Sequence, residues 1–241
     1  MKTLKSAYSA TIVSMLVGMA TYAADTASIA GKVAFEGTPP KPKKIKTDAD
    51  PQCAAMHADK PLTSTDVIVN GNGTLRNVFV YVKGGLPAGK TFEAPKDPVV
   101  IDQKGCEYHP HVFGMMVKQL LLIKNSDDTT HNIHALPTNN EEFNRAQPAG
   151  AADLKKTFTK PDVMVKFKCD VHPWMGAYVG VMDNPFYSVT GEDGTFSLKG
   201  LPAGEYEIVA WHEKYGEQTQ KVKVGDGEAK TADFKFAKSG E

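Results

Sequence analysis

Cys169-Asp170-Val171-His172-Pro173-Trp174-Met175 sets a thiol, an imidazole and a thioether at steps of three residues. One further imidazole would complete a trigonal His2Cys set with a weak axial Met. Thiolate and thioether are soft donors, so such a set favours copper over hard cations and supports single-electron chemistry. No side chain then has to act as acid or base. The candidate for the remaining ligand is His131, in Asn125-Ser126-Asp127-Asp128-Thr129-Thr130-His131-Asn132. Asn132 beside it is placed to hydrogen-bond across to the Cys loop and hold the two ligand loops together.

These residues need strands to carry them. Val163, Val165, Phe167 and Cys169 alternate with Met164, Lys166 and Lys168, which reads as a strand that points Cys169 inward. Pro173 stiffens the turn between His172 and Met175. His131 follows the apolar run Val117 to Ile123 and a polar turn, so it can reach the same pole of a sandwich. Val78 to Val82 reads as another strand, and Asn70-Gly71-Asn72-Gly73, Gly84-Gly85, Pro87-Ala88-Gly89 and Glu192-Asp193-Gly194 as turns. Helical pattern is scarce: a turn or two over Asp50 to Ala58 and another over Asn139 to Ala146. Pro39 to Lys44 reads as a solvated, extended connector.

From about Asn184 the pattern shifts to short strands with tight turns, as in Tyr187 to Thr190, Gly194 to Leu198, Gly204 to Trp211, Val222 to Val224 and Phe234 to Phe236. This reads as a small β unit of sandwich type. The early strand Ser28 to Phe35 could pair with that unit or with the central one. The expected division is a signal peptide over 1–24, an N-terminal β region and connector over 25–98, a copper-loop core over 99–183, and a β domain over 184–241.

Lys2 and Lys5 precede an apolar stretch, Ala10 to Ala20, and small residues follow near Thr21 to Ala24, the pattern of a secretory signal. The apolar stretch is short for a bilayer, and no other segment approaches that length, so no membrane span is expected in the mature chain. Lys plus Arg number 28 and Asp plus Glu 28, which leaves no basic surplus for nucleic acid. If Cys169 is a metal thiolate, Cys53 and Cys106 are left to pair in an oxidising compartment, with two buried free thiols as the alternative. A bond closing so long a loop is worth roughly 4 kcal/mol in the chain-entropy model. No Cys-x-x-Cys-His stands in the chain, so no covalent c-type haem is expected.

The loop Cys169 to Met175 resembles the short ligand loop of amicyanin, and Ile123-Lys124-Asn125 through His131-Asn132 resembles the first-histidine segment of plastocyanin and amicyanin. The likeness covers roughly Val99 to Met182. The tail, around Gly194-Thr195-Phe196-Ser197-Leu198-Lys199-Gly200-Leu201-Pro202-Ala203-Gly204-Glu205-Tyr206, resembles carboxypeptidase regulatory-like or transthyretin-like domains. The whole is similar to exported bacterial cupredoxins, some of them labelled methylamine utilization proteins.

That resemblance implies an all-β fold: a cupredoxin Greek-key sandwich followed by a small regulatory-like sandwich. It implies one type 1 copper per chain, held by His131, Cys169 and His172 with Met175 axial. It implies a periplasmic electron carrier whose partner is a redox protein such as a c-type cytochrome or a dehydrogenase. His172 would lie near the surface as the electron port, framed by Val171, Pro173 and Trp174. No catalytic residue is expected, because no nucleophile–base pair and no phosphate loop stands out, and Asp127-Asp128 and Glu141-Glu142 read as solvated turn residues.

Two alternatives compete with the carrier. One is a copper chaperone or store using Met and His, for which Met115, Met116, Met164 and Met182 are faint support. The other is a copper enzyme with a second site built from His109, His111 and His134, with His57 a distant candidate. His212 reads as ordinary strand packing.

Overall fold

The computed structural model describes residues 26–238, so the expected signal segment over 1–24 lies outside them. The chain opens with β1 (Ala27–Glu36), the short helix α1 (Pro51–Met56) and β2 (Phe79–Gly84). A central run follows: β3 (Val99–Lys104), β4 (Glu107–His109), β5 (Val112–Met116), β6 (Leu121–Asn125), β7 (His131–Leu136), β8 (Phe143–Gln147), β9 (Leu154–Lys156), β10 (Asp162–Lys168) and β11 (Gly176–Met182). The last run is β12 (Tyr187–Val189), β13 (Thr195–Leu201), β14 (Gly204–His212), β15 (Gly216–Val224), β16 (Ala229–Thr231) and β17 (Phe234–Ala237). The fold is all-β, built as two sandwiches.

The central run makes one sandwich. Its sheets have the orders β5-β11-β10-β7-β8 and β4-β3-β6-β9. Their inner faces bury Ile101, Leu121, Ile123, Ile133, Phe167 and Val179, none of them exposed at all. The outer runs make the second, with sheets β13-β1-β16, extended by β17 on β1, and β12-β2-β14-β15. Its core gathers Val33, Val80, Ile208, Phe234 and Phe236. The early strand β1 thus joins the C-terminal unit, as does β2, and the central sandwich is inserted between β2 and β12.

The two sandwiches meet through a third cluster, Phe79, Tyr81, Val112, Met182 and Val209. The Phe79 ring lies against bare backbone: a Cβ built on Gly180 would stand 2.2 Å from its Cζ, and one on Gly114 2.9 Å from its Cε2. Only glycine admits so close an approach.

Three local expectations are corrected. The alternation starting at Val163 breaks, because Met164 takes a left-handed backbone (φ 60) and the β10–β11 register shifts there. Val163 is therefore exposed and Asp162 buried, while Val165, Phe167 and Cys169 keep the inward face. The run Val117 to Ile123 is interrupted by a turn at Lys118 (φ 68), and its strand begins at Leu121. Asn139 to Ala146 forms no helical turn: from Phe143 it lies along β7, because backbone pairing there outweighs weak helical propensity.

Candidate metal centre

Strand ends deliver the expected ligands to one pole of the central sandwich. Cys169 follows β10 directly and is buried, as the inward face of that strand requires. The loop after it is closed by its own backbone: Met175 N–H donates to His172 O at 2.9 Å and Cys169 N–H to Met175 O at 3.2 Å. His131 opens β7 and is wholly buried. His172 is 1% exposed and Met175 2%.

His131, Cys169 and His172 offer ligand atoms all within 4.8 Å of one another. The two Nδ1 atoms face each other across 2.9 Å, and the His172 Nδ1 stands 3.7 Å from Cys169 Sγ. Met175 is buried in the same core cluster as Cys169.

Each ring is held from behind. His131 Nε2 lies 2.8 Å from Asp127 Oδ2, and His172 Nε2 lies 3.2 Å from Asp50 Oδ2. A carboxylate at Nε2 fixes the proton there and leaves Nδ1 as the free lone pair, the orientation a metal ligand needs. Two such lone pairs 2.9 Å apart require a proton or a cation between them. The donor set therefore fits a soft or borderline metal, and copper in particular.

The metal-free electrostatics agree. Burial opposes a charge on His131, but Asp127 and Cys169 outweigh it and raise its pKa to about 9. Burial also pushes the Cys169 thiol up, yet the His131 ring and the loop's backbone N–H groups bring it below its ordinary value. The pair leans toward imidazolium and thiolate.

Both carboxylates are anchored to backbone. Asp127 accepts from Gly105 N–H at 2.6 Å and Cys106 N–H at 2.8 Å, in a tight turn where both residues have positive φ. Burial works to raise its pKa, but bonds from His131, Cys106 and Gly105 outweigh this and lower it. Asp50 is the N-cap of α1: its Oδ1 accepts from Gln52 and Cys53 N–H, while Oδ2 serves His172 and Thr129. Cys53 and Cys106 form a disulfide that ties α1 to the Gly105–Cys106 turn. Cys53 Sγ lies 3.7 Å from His172 Nε2.

Asn132 Oδ1 accepts from Asp170 N–H at 2.7 Å and lies 3.2 Å from Cys169 Sγ, so it links the start of β7 to the Cys169–Met175 loop. Two readings fail here. Asp127 is not a solvated turn residue but is buried behind His131, although its neighbour Asp128 is exposed. His172 is no surface port either: Asp50, α1 and the disulfide cover it, and Val171 and Pro173 are exposed without exposing the ring between them.

The structure does not bring His109, His111 and His134 together. His109 Nε2 meets Lys104 O, His111 bridges Gly176 O and Glu213, and His134 lies between Asp170 and Glu142. None of the three belongs to a donor group among the described residues. His57 Nε2 bonds Gly105 O at 2.8 Å, and His212 stacks on Tyr215. Sequence reasoning missed Asp50 entirely. The helical pattern over Asp50 to Ala58 marks α1, but nothing in it points to His172 behind its cap.

A family model for the carboxypeptidase regulatory-like domain matches residues 170–237. No curated protein sequence matches the chain. Among solved structures, the chain is similar to a Cu-containing nitrite reductase from Thermus scotoductus SA-01, with 20% identity over 42% of this chain and 26% of that one, at a TM-score of 0.34. It is similar to a purple cupredoxin from Nitrosopumilus maritimus, with 21% identity over 35% of this chain and 99% of that one, at 0.30. It is also similar to a reduced amicyanin variant, with 19% identity over 43% of this chain and 98% of that one, at 0.32. The matched part thus spans about a quarter of the nitrite reductase but nearly all of the two small proteins. The expectation that the chain is no enzyme is overturned by the first of these, since a copper enzyme stands among its fold relatives. The all-β, two-sandwich fold stands on the chain's own strand pairing, and the regulatory-like family model covers the stretch from the Cys169 loop through β17.

Proposed function

We propose that the chain is an exported type 1 copper protein that passes single electrons between redox partners. His131, Cys169 and His172 would hold the copper, with Met175 as the axial donor. One observation carries this reading: two imidazole Nδ1 atoms face each other beside a buried thiol, each ring fixed through Nε2 by a carboxylate. Copper bound there supplies a Cu(I)/Cu(II) couple. The chain's own part is to hold the ligands still, so that little moves when the oxidation state changes.

That stillness has visible causes. The Cys169–Met175 loop is cross-bonded by its backbone, Asn132 ties it to β7, and the disulfide fixes the segment behind His172. Every expected ligand is buried, 2% exposed or less. The exported, oxidising compartment proposed from the N-terminal segment suits a chain that carries this disulfide.

The test is the visible spectrum and metal content of the mature protein loaded with Cu(II), beside Cys169→Ser. An intense thiolate-to-copper band at one copper per chain, bleached by reductant and lost in the variant, is expected. A colourless copper adduct would overturn the carrier in favour of copper handling.

A further inference from the structure

The cover over His172 closes the ordinary way to the site, yet the other flank of the ligand loop is open. There lies a cavity of about 660 Å³, whose wall includes Cys169, Pro173, Trp174 and Met175. The central sandwich adds residues of β4, β10 and β11, such as Glu107, Lys166 and Tyr178, and the rest comes from the connector before β2 and the β14–β15 turn, so all three parts of the chain meet here. Its size is that of a small-molecule site. Trp174 also lines a neighbouring cavity of about 210 Å³. Its ring stands 5.1 Å from that of His172, and its indole N–H donates to Cys106 O at 3.0 Å.

The wall carries four lysines and four carboxylates, but they are not paired one to one. Asp66 is taken by Lys214 at 2.9 Å, Asp170 by Lys168 at 2.8 Å, and Glu213 by His111. Glu107 lies 3.9 Å from His109. Lys43 and Lys166 also line the cavity, and among the described residues neither has an ion-pair partner. Lys43 and Lys166 are thus left as two unpaired ammonium groups, against Glu107 as the one carboxylate matched to neither a lysine nor His111, around a concave space that Trp174 also lines.

We propose that this cavity binds a small anionic one-electron redox molecule, held by Lys43 and Lys166, and that electrons cross to the copper through Trp174. The inference rests on the copper reading above. The bound molecule gives up one electron as Cu(II) becomes Cu(I), or takes one in the reverse step. No bond forms or breaks and no proton moves. The regulatory-like domain then has a place in the function, since Glu213 and Lys214 form the outer wall.

Binding is tested first on metal-free protein, with redox-inert hexacyanocobaltate(III) titrated while the Trp174 indole N–H resonance is followed, assigned with Trp174→Phe. A saturable shift is expected, with affinity lowered about fivefold in Lys43→Ala/Lys166→Ala, the scale of two exposed charges. The copper protein is then reduced with hexacyanoferrate(II) and with the cation hexaammineruthenium(II). The double variant should slow only the anion, and Trp174→Leu should slow both while the copper band stays unchanged. No saturable shift at Trp174, or a double variant that binds and reacts with the anion as the parent does, overturns the proposal. Because the titration uses metal-free protein, its result is independent of whether the copper band forms.

Discussion

Each imidazole at the centre is backed by a carboxylate that also binds the backbone of a disulfide cysteine, Asp127 at Cys106 and Asp50 at Cys53. Ring orientation is therefore set twice, by a hydrogen bond and by the covalent frame behind it. Asp127→Asn keeps the size but loses the charge that favours Nε2–H. Copper affinity should fall about 10- to 100-fold, the range for outer-shell partners, as measured by competition with a chelator. The raised pKa of His131, about 9, gives a second expectation with a definite sign. Below that value the metal must displace the His131 proton, so binding should release at least one proton. Apparent affinity should then rise about tenfold per pH unit from about pH 7 and flatten near the His131 pKa; a pH-independent affinity would show that His131 is already neutral. At this scale the sequence was legible where the candidate residues share one loop. Cys169, His172 and Met175 announce themselves by spacing. Asp50 does not, because nothing near position 50 refers to position 172, and only burial separates Asp127 from its solvated neighbour Asp128.

At the scale of elements, the short helix α1 matters more than its length suggests. Its cap residue holds His172 and its Cys53 is bonded to the β3–β4 turn, so helix, turn and the Cys169–Met175 loop behave as one piece. Replacing both cysteines by serine should cost about 4 kcal/mol by chain entropy, measured by urea unfolding. The same variant should make His172 open to solvent, read as faster loss of copper to a chelator. Unchanged metal release would mean that α1 stays in place without the bond. Strand β10 shows why patterns mislead locally: the alternation was read correctly from Val165 onward and wrongly at Val163, because a left-handed Met164 inserts a bulge that period-two counting does not reveal.

For the whole molecule, the two sandwiches touch through Phe79 set against Gly180 and Gly114. Gly180→Ala would press a methyl into that ring and should destabilise the protein by about 1–3 kcal/mol, seen in thermal unfolding. The smaller Phe79→Leu in the same background should restore part of the loss. The existence of two β units could be read from turn spacing and strand lengths. Their nesting could not, because hydrophobic alternation says which face of a strand is buried and not which distant strand it joins. That nesting also fixes an order of events as the chain is made. Lys32 and Asp233, joined by a hydrogen bond at 2.8 Å, stand 201 residues apart, and β1 pairs with β13, β16 and β17. The first strand synthesised must therefore wait for nearly the last, while the inserted sandwich has all its own strands already in hand. A chain cut short before β16 would keep the β13 partner of β1 but strip its other edge of β16 and β17, so damage at one terminus is felt at the other.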